Sequence, residues 1–341
     1  MHPTGLAIAA CAALVVPPRT TEQEKAPPAS RIELRVSPLA DLWGYVRARA
    51  APSATKDASG PELPGLDDAV AATKALDRRF GSSLDWGGID RELEFATNCD
   101  ELLSRLQSLP ETRNAPSGPI ALRESALALA RAVAVVEPRF LDEVWPAHEA
   151  VITAAKARLE KTLMPHAAEC LGDVLAHLEL PDPGIVIPVY LVTEIPPFGG
   201  VTYARAERGG ISFVAVVGPD GTQLDETVLH ECTHALDVAS PDGVGLIEAL
   251  RAKLAAAGID QRDARSHDLW HTIYFVEAAA TIRRRVDPEH RPLGDAGYYA
   301  KVPQAVAIIL PRWSAYLDGK LDRATLLEQL VAEAAKGSPR H

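Results

Sequence analysis

The stretch Leu224-Asp225-Glu226-Thr227-Val228-Leu229-His230-Glu231-Cys232-Thr233-His234-Ala235-Leu236-Asp237 decides how the chain is read. At its centre His230, Glu231 and His234 spell H-E-x-x-H. Residues four apart on a helix lie one above the other, so both imidazoles leave one face and can share a small metal ion. Glu231 stands about a third of a turn round, within reach of a metal-bound water without ligating the metal itself. Two neutral nitrogen ligands, a general base and an open coordination position are what zinc-dependent hydrolysis needs. The run is compatible with a helix from Gln223 to Val238, with Leu224, Val228, Leu236 and Val238 available for burial. Pro219-Asp220-Gly221 supplies a turn before it, Thr222 with Asp225 forms a variant capping box, and Ser240-Pro241 ends it. Asp237 shares the face of both histidines, where a carboxylate can orient an imidazole. The plain alternative is a surface helix carrying two incidental histidines.

Upstream, Ile185 to Val192 is rich in β-branched residues and reads as a strand. Gly199 to Ala206 and Gly210 to Val217 read as a hairpin delivered directly into the H-E-x-x-H helix. An edge strand beside a metal can hold an extended peptide through main-chain hydrogen bonds.

Downstream, Ser266 to Arg283 is expected to be helical and carries the candidates for a third ligand. Glu277 sits in an otherwise apolar run from Ile273 to Ala280, where a carboxylate is costly to bury without a cation or metal partner. Ala278 and Ala279 beside it permit a close helix approach. His271 is six positions away, about 120° round the helix, so His271 and Glu277 are rivals for one ion. His267 and His271, four apart, form another possible pair. An oxyanion formed beside the metal needs a second electrophile, and Tyr298, Tyr299 and Tyr274 are candidates. Arg283-Arg284-Arg285 stands at the expected helix end, where positive charge favours the dipole.

His230-Glu231-Cys232-Thr233-His234-Ala235-Leu236-Asp237, the run Asp268 to Ala278 and the late Trp313-x-x-Tyr316-Leu317-Asp318-Gly319 together support a resemblance. H-E-x-x-H followed by a Glu in a small-residue helical segment resembles the gluzincin clan of zinc metallopeptidases. More narrowly, these segments, from Ile185 to Gly319, resemble a group of bacterial exported metallopeptidase-like proteins. The resemblance implies a zincin-like catalytic region, Zn2+ held by His230, His234 and Glu277, and Glu231 as base. The best-known gluzincin pattern has Asn before the ligand Glu and Asp after it. Val276 and Ala280 or Thr281 stand there in this chain, which keeps His271 open as the third ligand.

The remainder bounds the function. A chain of 341 residues is ample for a large core, and 47% hydrophobic with 24% charged residues is the balance of a globular protein. A net charge of -11 argues against nucleic acid or an anionic membrane surface as partner. Residues Leu6 to Val16 suit a signal-peptide core and are too short to span a bilayer. Ile8-Ala9-Ala10-Cys11 resembles a lipobox, which makes Cys11 a weak lipid-anchor candidate. Residues Pro17 to Ser30 resemble the tether of an exported protein, so export is the favoured localisation and the cytoplasm the alternative. Cys99 and Cys170 are left as the possible disulfide pair, and Cys232 reads as a small buried helix residue.

From Ile32 to about Leu180 helical spacing recurs over Leu39 to Arg49, Leu66 to Phe80, Asp90 to Leu109, Ile120 to Val136 and Leu141 to Leu178, the last broken near Pro165. His148, His166 and His177 lack ligand spacing and read as packing or surface residues. Val302 to Lys336 gives two more helices around an Asp318-Gly319 turn, with Trp313 and Tyr316 packing them onto the catalytic half. No Walker loop, G-x-S-x-G elbow or G-x-G-x-x-G occurs, which leaves nucleotide and serine-hydrolase readings without support. The expected architecture is mainly helical α+β: a terminal segment 1–30, a helical region 31–180 and a zincin-like region 181–341. The expected activity is a zinc peptidase acting on peptide or protein substrates. The alternative from another class is a metal-bound scaffold whose helical first half engages a partner.

Overall fold

The computed structural model describes residues 29–51, 61, 63–80, 87–115, 118–195, 199–205, 209–216, 223–241, 243–259 and 264–336. The expectations for Cys11, the export segment, Thr222 and the turn at 219–221 fall outside them. Among the described residues no helix is long and apolar enough to cross a membrane.

The chain opens with strand β1 (Arg31–Val36), then α1 (Pro38–Ala50), α2 (Leu66–Phe80), α3 (Gly87–Leu93) and α4 (Cys99–Leu106). A small antiparallel pair, β2 (Arg113–Ala115) and β3 (Gly118–Ile120), leads to α5 (Leu122–Glu143), α6 (Trp145–Thr162) and α7 (Ala167–His177). Strands β4 (Val186–Val192), β5 (Gly200–Arg205) and β6 (Gly209–Ala215) precede α8 (Leu224–Ala239), α9 (Leu246–Ala256) and α10 (Ala264–Arg285). The short α11 (Tyr298–Lys301) and the longer α12 (Pro303–Leu317) and α13 (Arg323–Lys336) close the chain. The fold is mainly helical α+β, as the sequence indicates.

Several boundaries differ from expectation. Helix α5 runs on through Pro138 to Glu143, so the break falls at Val144 and not between Val136 and Leu141. The run Asp90 to Leu109 is two helices, because Asn98 leaves helical geometry and its side chain accepts from Glu101 N to cap α4. Helix α8 has no side-chain cap; its N-cap is Gln223.

One four-stranded sheet, in the order β1-β4-β6-β5, forms the centre of the molecule. The pairs β1–β4 and β4–β6 are parallel, and β5 returns antiparallel to β6 as the terminal strand. The alternation of β4 divides the core. Ile187, Val189 and Leu191 face a layer built from α6, α7, α8, α10, α12 and α13, whereas Tyr190 and Val192 face α1, α2, α4 and α5. Both faces are covered, the usual condition of parallel strands. The helical region 31–180 and the region 181–341 are therefore joined by the sheet itself: β1 pairs along its whole length with β4, and α6 and α7 pack into the same core as α8.

The sheet places α8 by close approach. A Cβ at Gly210 of β6 would lie 2.8 Å from the Ala235 Cβ, and one at Gly200 of β5 would lie 2.5 Å from Glu231 Oε1. Glycine at both positions lets the hairpin lie directly against the helix. On its other sides α8 meets α7 and α10, so twelve of its sixteen residues are buried. Thr227 and Thr233, inside this buried helix, satisfy their hydroxyls on Gln223 O and Leu229 O.

Candidate metal centre

Helix α8 presents His230 and His234 one turn apart, with Nε2 atoms 3.1 Å from each other. Around a tetrahedral ion with bonds of about 2.0–2.1 Å, neighbouring ligand nitrogens lie about 3.3 Å apart, so this spacing is close to that of two ligands. The third member comes from α10. His230, His234 and His271 each offer a ligand atom, and these atoms all lie within 4.8 Å of one another. Ring centroids of His271 lie 5.1 Å from both partners. Burial pushes His230 down to about 3, opposed by the main chain of Tyr274, and holds His234 and His271 well below their ordinary value. Neutral imidazole is the form that binds a metal. Three such rings converging from two helices fit a small N-liganded cation such as Zn2+.

The rings are fixed by aromatic packing. Phe275, one turn after His271, stacks on His230 at 3.9 Å and on Tyr298 at 4.0 Å. Tyr298 Oη lies 3.1 Å from His271 Nδ1, which leaves Nε2 of that ring for a metal. Tyr274 sets its ring edge-on to His234 at 4.7 Å. Trp270 stands edge-on to the same histidine at 6.0 Å and lies under the guanidinium of Arg251.

Glu231 is buried and lies outside the group of converging ligand atoms. Burial pushes its carboxyl up to about 8, and the Thr202 hydroxyl, donating to Oε2 at 2.6 Å, opposes that shift.

Glu277 is placed elsewhere. It is fully buried, with Oε1 2.7 Å from His177 Nδ1 and 2.9 Å from Thr281 Oγ1, while Trp313 Nε1 donates to Oε2 at 3.0 Å. Six positions from His271, it faces α7 and α12, and its partners are the side chains of His177, Thr281 and Trp313. The cost of burying this carboxylate is thus met by hydrogen bonds, and the ligand role expected from the resemblance has no geometric basis. His177 belongs to this cluster, and His148 pairs with buried Asp41 at 2.6 Å, so neither approaches the three imidazoles.

Among the other candidates, Tyr298 joins the site through His271. Tyr299 does not: its ring packs across Gly294, where a Cβ would meet it at 2.2 Å. Its expected catalytic role is not supported, because the ring is committed to packing. Asp237 faces Arg251 at 3.5 Å and the Tyr274 hydroxyl, so it meets no imidazole directly. His267 is exposed, one turn before His271. Cys99, Cys170 and Cys232 are buried free thiols, and Cys99 and Cys170 lie in different cores, which separates the one possible disulfide pair. Arg284 and Arg285 hold Asp173 of α7, each at 2.8 Å.

Sequence reasoning missed Phe275, Gly200 and Thr202. Phe275 stands four residues after His271, so helical periodicity alone could have placed it on the ligand face. Gly200 and Thr202 carry no signal until the strand is docked. Comparison with protein-family models, with curated proteins and with solved structures finds no match to the chain.

Proposed function

We propose that the chain is a zinc-dependent hydrolase, most simply a peptidase, with His230, His234 and His271 as ligands and Glu231 as general base. The observation that carries this reading is the convergence of three imidazoles from α8 and α10, His230 buried and His234 and His271 half-buried, with the buried carboxylate of Glu231 on the same helix as the first two. This ligand set departs from the one the gluzincin resemblance implies, since Glu277 is replaced by His271.

Bound zinc supplies a water whose pKa is lowered to about 7, together with Lewis acidity toward a carbonyl. The residues of the chain divide the remaining work. Three neutral imidazoles would hold the cation. Glu231 would take a proton from the attacking water and return it to the leaving amine. Tyr298 accepts from His271 Nδ1 and keeps that ring turned toward the ion. The outer edge of β5 carries no partner strand among the described residues, and it runs beside Glu231. Such an edge suits an extended peptide, which supports a peptide substrate over a small ester.

The test is hydrolysis of a peptide library by the zinc-loaded chain against Glu231→Gln. Glu231→Gln keeps the metal and loses turnover by about 100-fold or more. Wild type cleaving nothing beyond that variant contradicts the hydrolase reading and favours a metal-bound scaffold.

A further inference from the structure

We propose that Gly200 and Thr202 of the terminal strand are positioning residues for Glu231: Thr202 holds one carboxylate oxygen, and Gly200 leaves the other uncovered for the reacting water. The inference rests on the hydrolase reading and adds to it the source of the base's geometry.

Positions 200 and 202 lie on the same face of β5, because side chains alternate along a strand. That face meets α8. The Thr202 hydroxyl has three oxygens within reach: Glu231 Oε2 at 2.6 Å, Ser212 Oγ at 2.9 Å and Glu231 main-chain O at 3.0 Å. It has one proton to give. The carboxylate is the nearest of the three and, when ionised, the strongest acceptor. Thr202 therefore donates to Oε2, and buried Ser212, its register partner on β6, donates to Thr202. The chain Ser212 to Thr202 to Glu231 runs in one direction, and each hydroxyl is both donor and acceptor.

The second oxygen is treated in the opposite way. A Cβ at Gly200 would lie 2.5 Å from Oε1, 2.9 Å from Cγ and 3.0 Å from Cδ of Glu231. The carboxylate thus rests on bare main chain, and any side chain at 200 displaces it or lifts the strand off α8. One oxygen is tied and residue 200 puts no side chain against the other, an asymmetry that suits a base meeting water at a single atom. Because α8 also carries His230 and His234, the same contact registers the base against the metal ligands.

The experiment uses the zinc-loaded full chain as wild type, Thr202→Val, Thr202→Ser and Gly200→Ala, with Thr202→Ala in place of valine should valine prevent folding. Zinc content, kcat and KM are measured on the best peptide substrate, and crystal structures of wild type and Thr202→Val are compared. A misplacement of the base by 1 Å costs about 100-fold in rate, so Thr202→Val and Gly200→Ala are expected to lose about 10- to 100-fold in kcat. KM and zinc content stay as in wild type, Thr202→Ser recovers most of the rate, and the Glu231 carboxylate of Thr202→Val takes a different or a second conformer. Wild-type kcat in Thr202→Val, or Thr202→Ser as slow as Thr202→Val, overturns the proposal. If no substrate is cleaved beyond Glu231→Gln, the hydrolase reading has failed, and the crystal structures still decide the clamp: an unmoved carboxylate refutes it and a displaced one upholds it.

Discussion

At the scale of the residue, the two acidic groups Glu231 and Glu277 show how burial can mean opposite things. Both are buried, Glu277 completely and Glu231 nearly so. Glu277 has three donors, from His177, Thr281 and Trp313, and acts as a clamp between α10, α7 and α12. Among the described residues Glu231 has one side-chain donor, Thr202, and burial raises its carboxyl. Replacing Glu277 by Gln is expected to cost about 1–3 kcal/mol of unfolding free energy, measured in urea, because a buried acceptor is exchanged for a mixed donor and acceptor. Under the proposed ligand set, zinc binding is expected to be unaffected by this replacement. Tyr298→Phe is expected to do the reverse, leaving stability nearly unchanged and weakening zinc by about tenfold or more, read by competition with a chelator. Equal zinc affinity in Tyr298→Phe and wild type would show that the His271 contact is incidental.

At the scale of the element, α10 serves two clusters from two faces. His271, Tyr274 and Phe275 look toward α8, and Glu277 and Thr281 look toward α7 and α12. Phe275 lies between His230 and Tyr298, so Phe275→Ala is expected to cost about 3–5 kcal/mol in denaturant unfolding and to loosen the metal site with it. Loss of stability with unchanged zinc affinity would mean that the stack plays no part in holding the ligands. Existence and type of this helix were legible in its spacing, as were those of α8. The choice between His271 and Glu277 was not. The central part of α10, from Thr272 to Ala279, is buried all round, so it has no polar face to orient it, and spacing alone cannot say which side turns to α8. Strand β1 is a different case. Ile32, Leu34 and Val36 alternate with Arg31, Glu33 and Arg35, a period-two signal present in the sequence, although the sequence reading places the segment inside the helical region 31–180.

At the scale of the whole molecule, the sheet binds early and late parts of the chain into a layered body with a core on each face. The parallel pairing of β1 with β4 spans more than 150 residues of sequence, a contact that no local pattern announces. On the α7–α10 side, Asp173 is held below its ordinary value chiefly by its hydrogen bond from Arg285, with Arg284 adding to it. A lowered carboxyl favours the folded state while ionised, so its contribution is fully present above about pH 4 and is lost as pH falls through the lower, folded value. Both arginines are partly exposed, which limits the effect to about 0.5–1 kcal/mol. Asp173→Asn is expected to lose correspondingly less unfolding free energy than wild type between about pH 6 and about pH 3. Identical pH dependence in the two proteins would remove the pair from the stability of this side.

The central claim is that folding brings His271, and not Glu277, to the pair on α8. Zinc stoichiometry by elemental analysis, measured on the folded wild type, His271→Ala and Glu277→Gln, tests it most directly. The account predicts one zinc per chain in wild type and Glu277→Gln, and little in His271→Ala. No metal in wild type, or metal lost from Glu277→Gln and kept by His271→Ala, would contradict it.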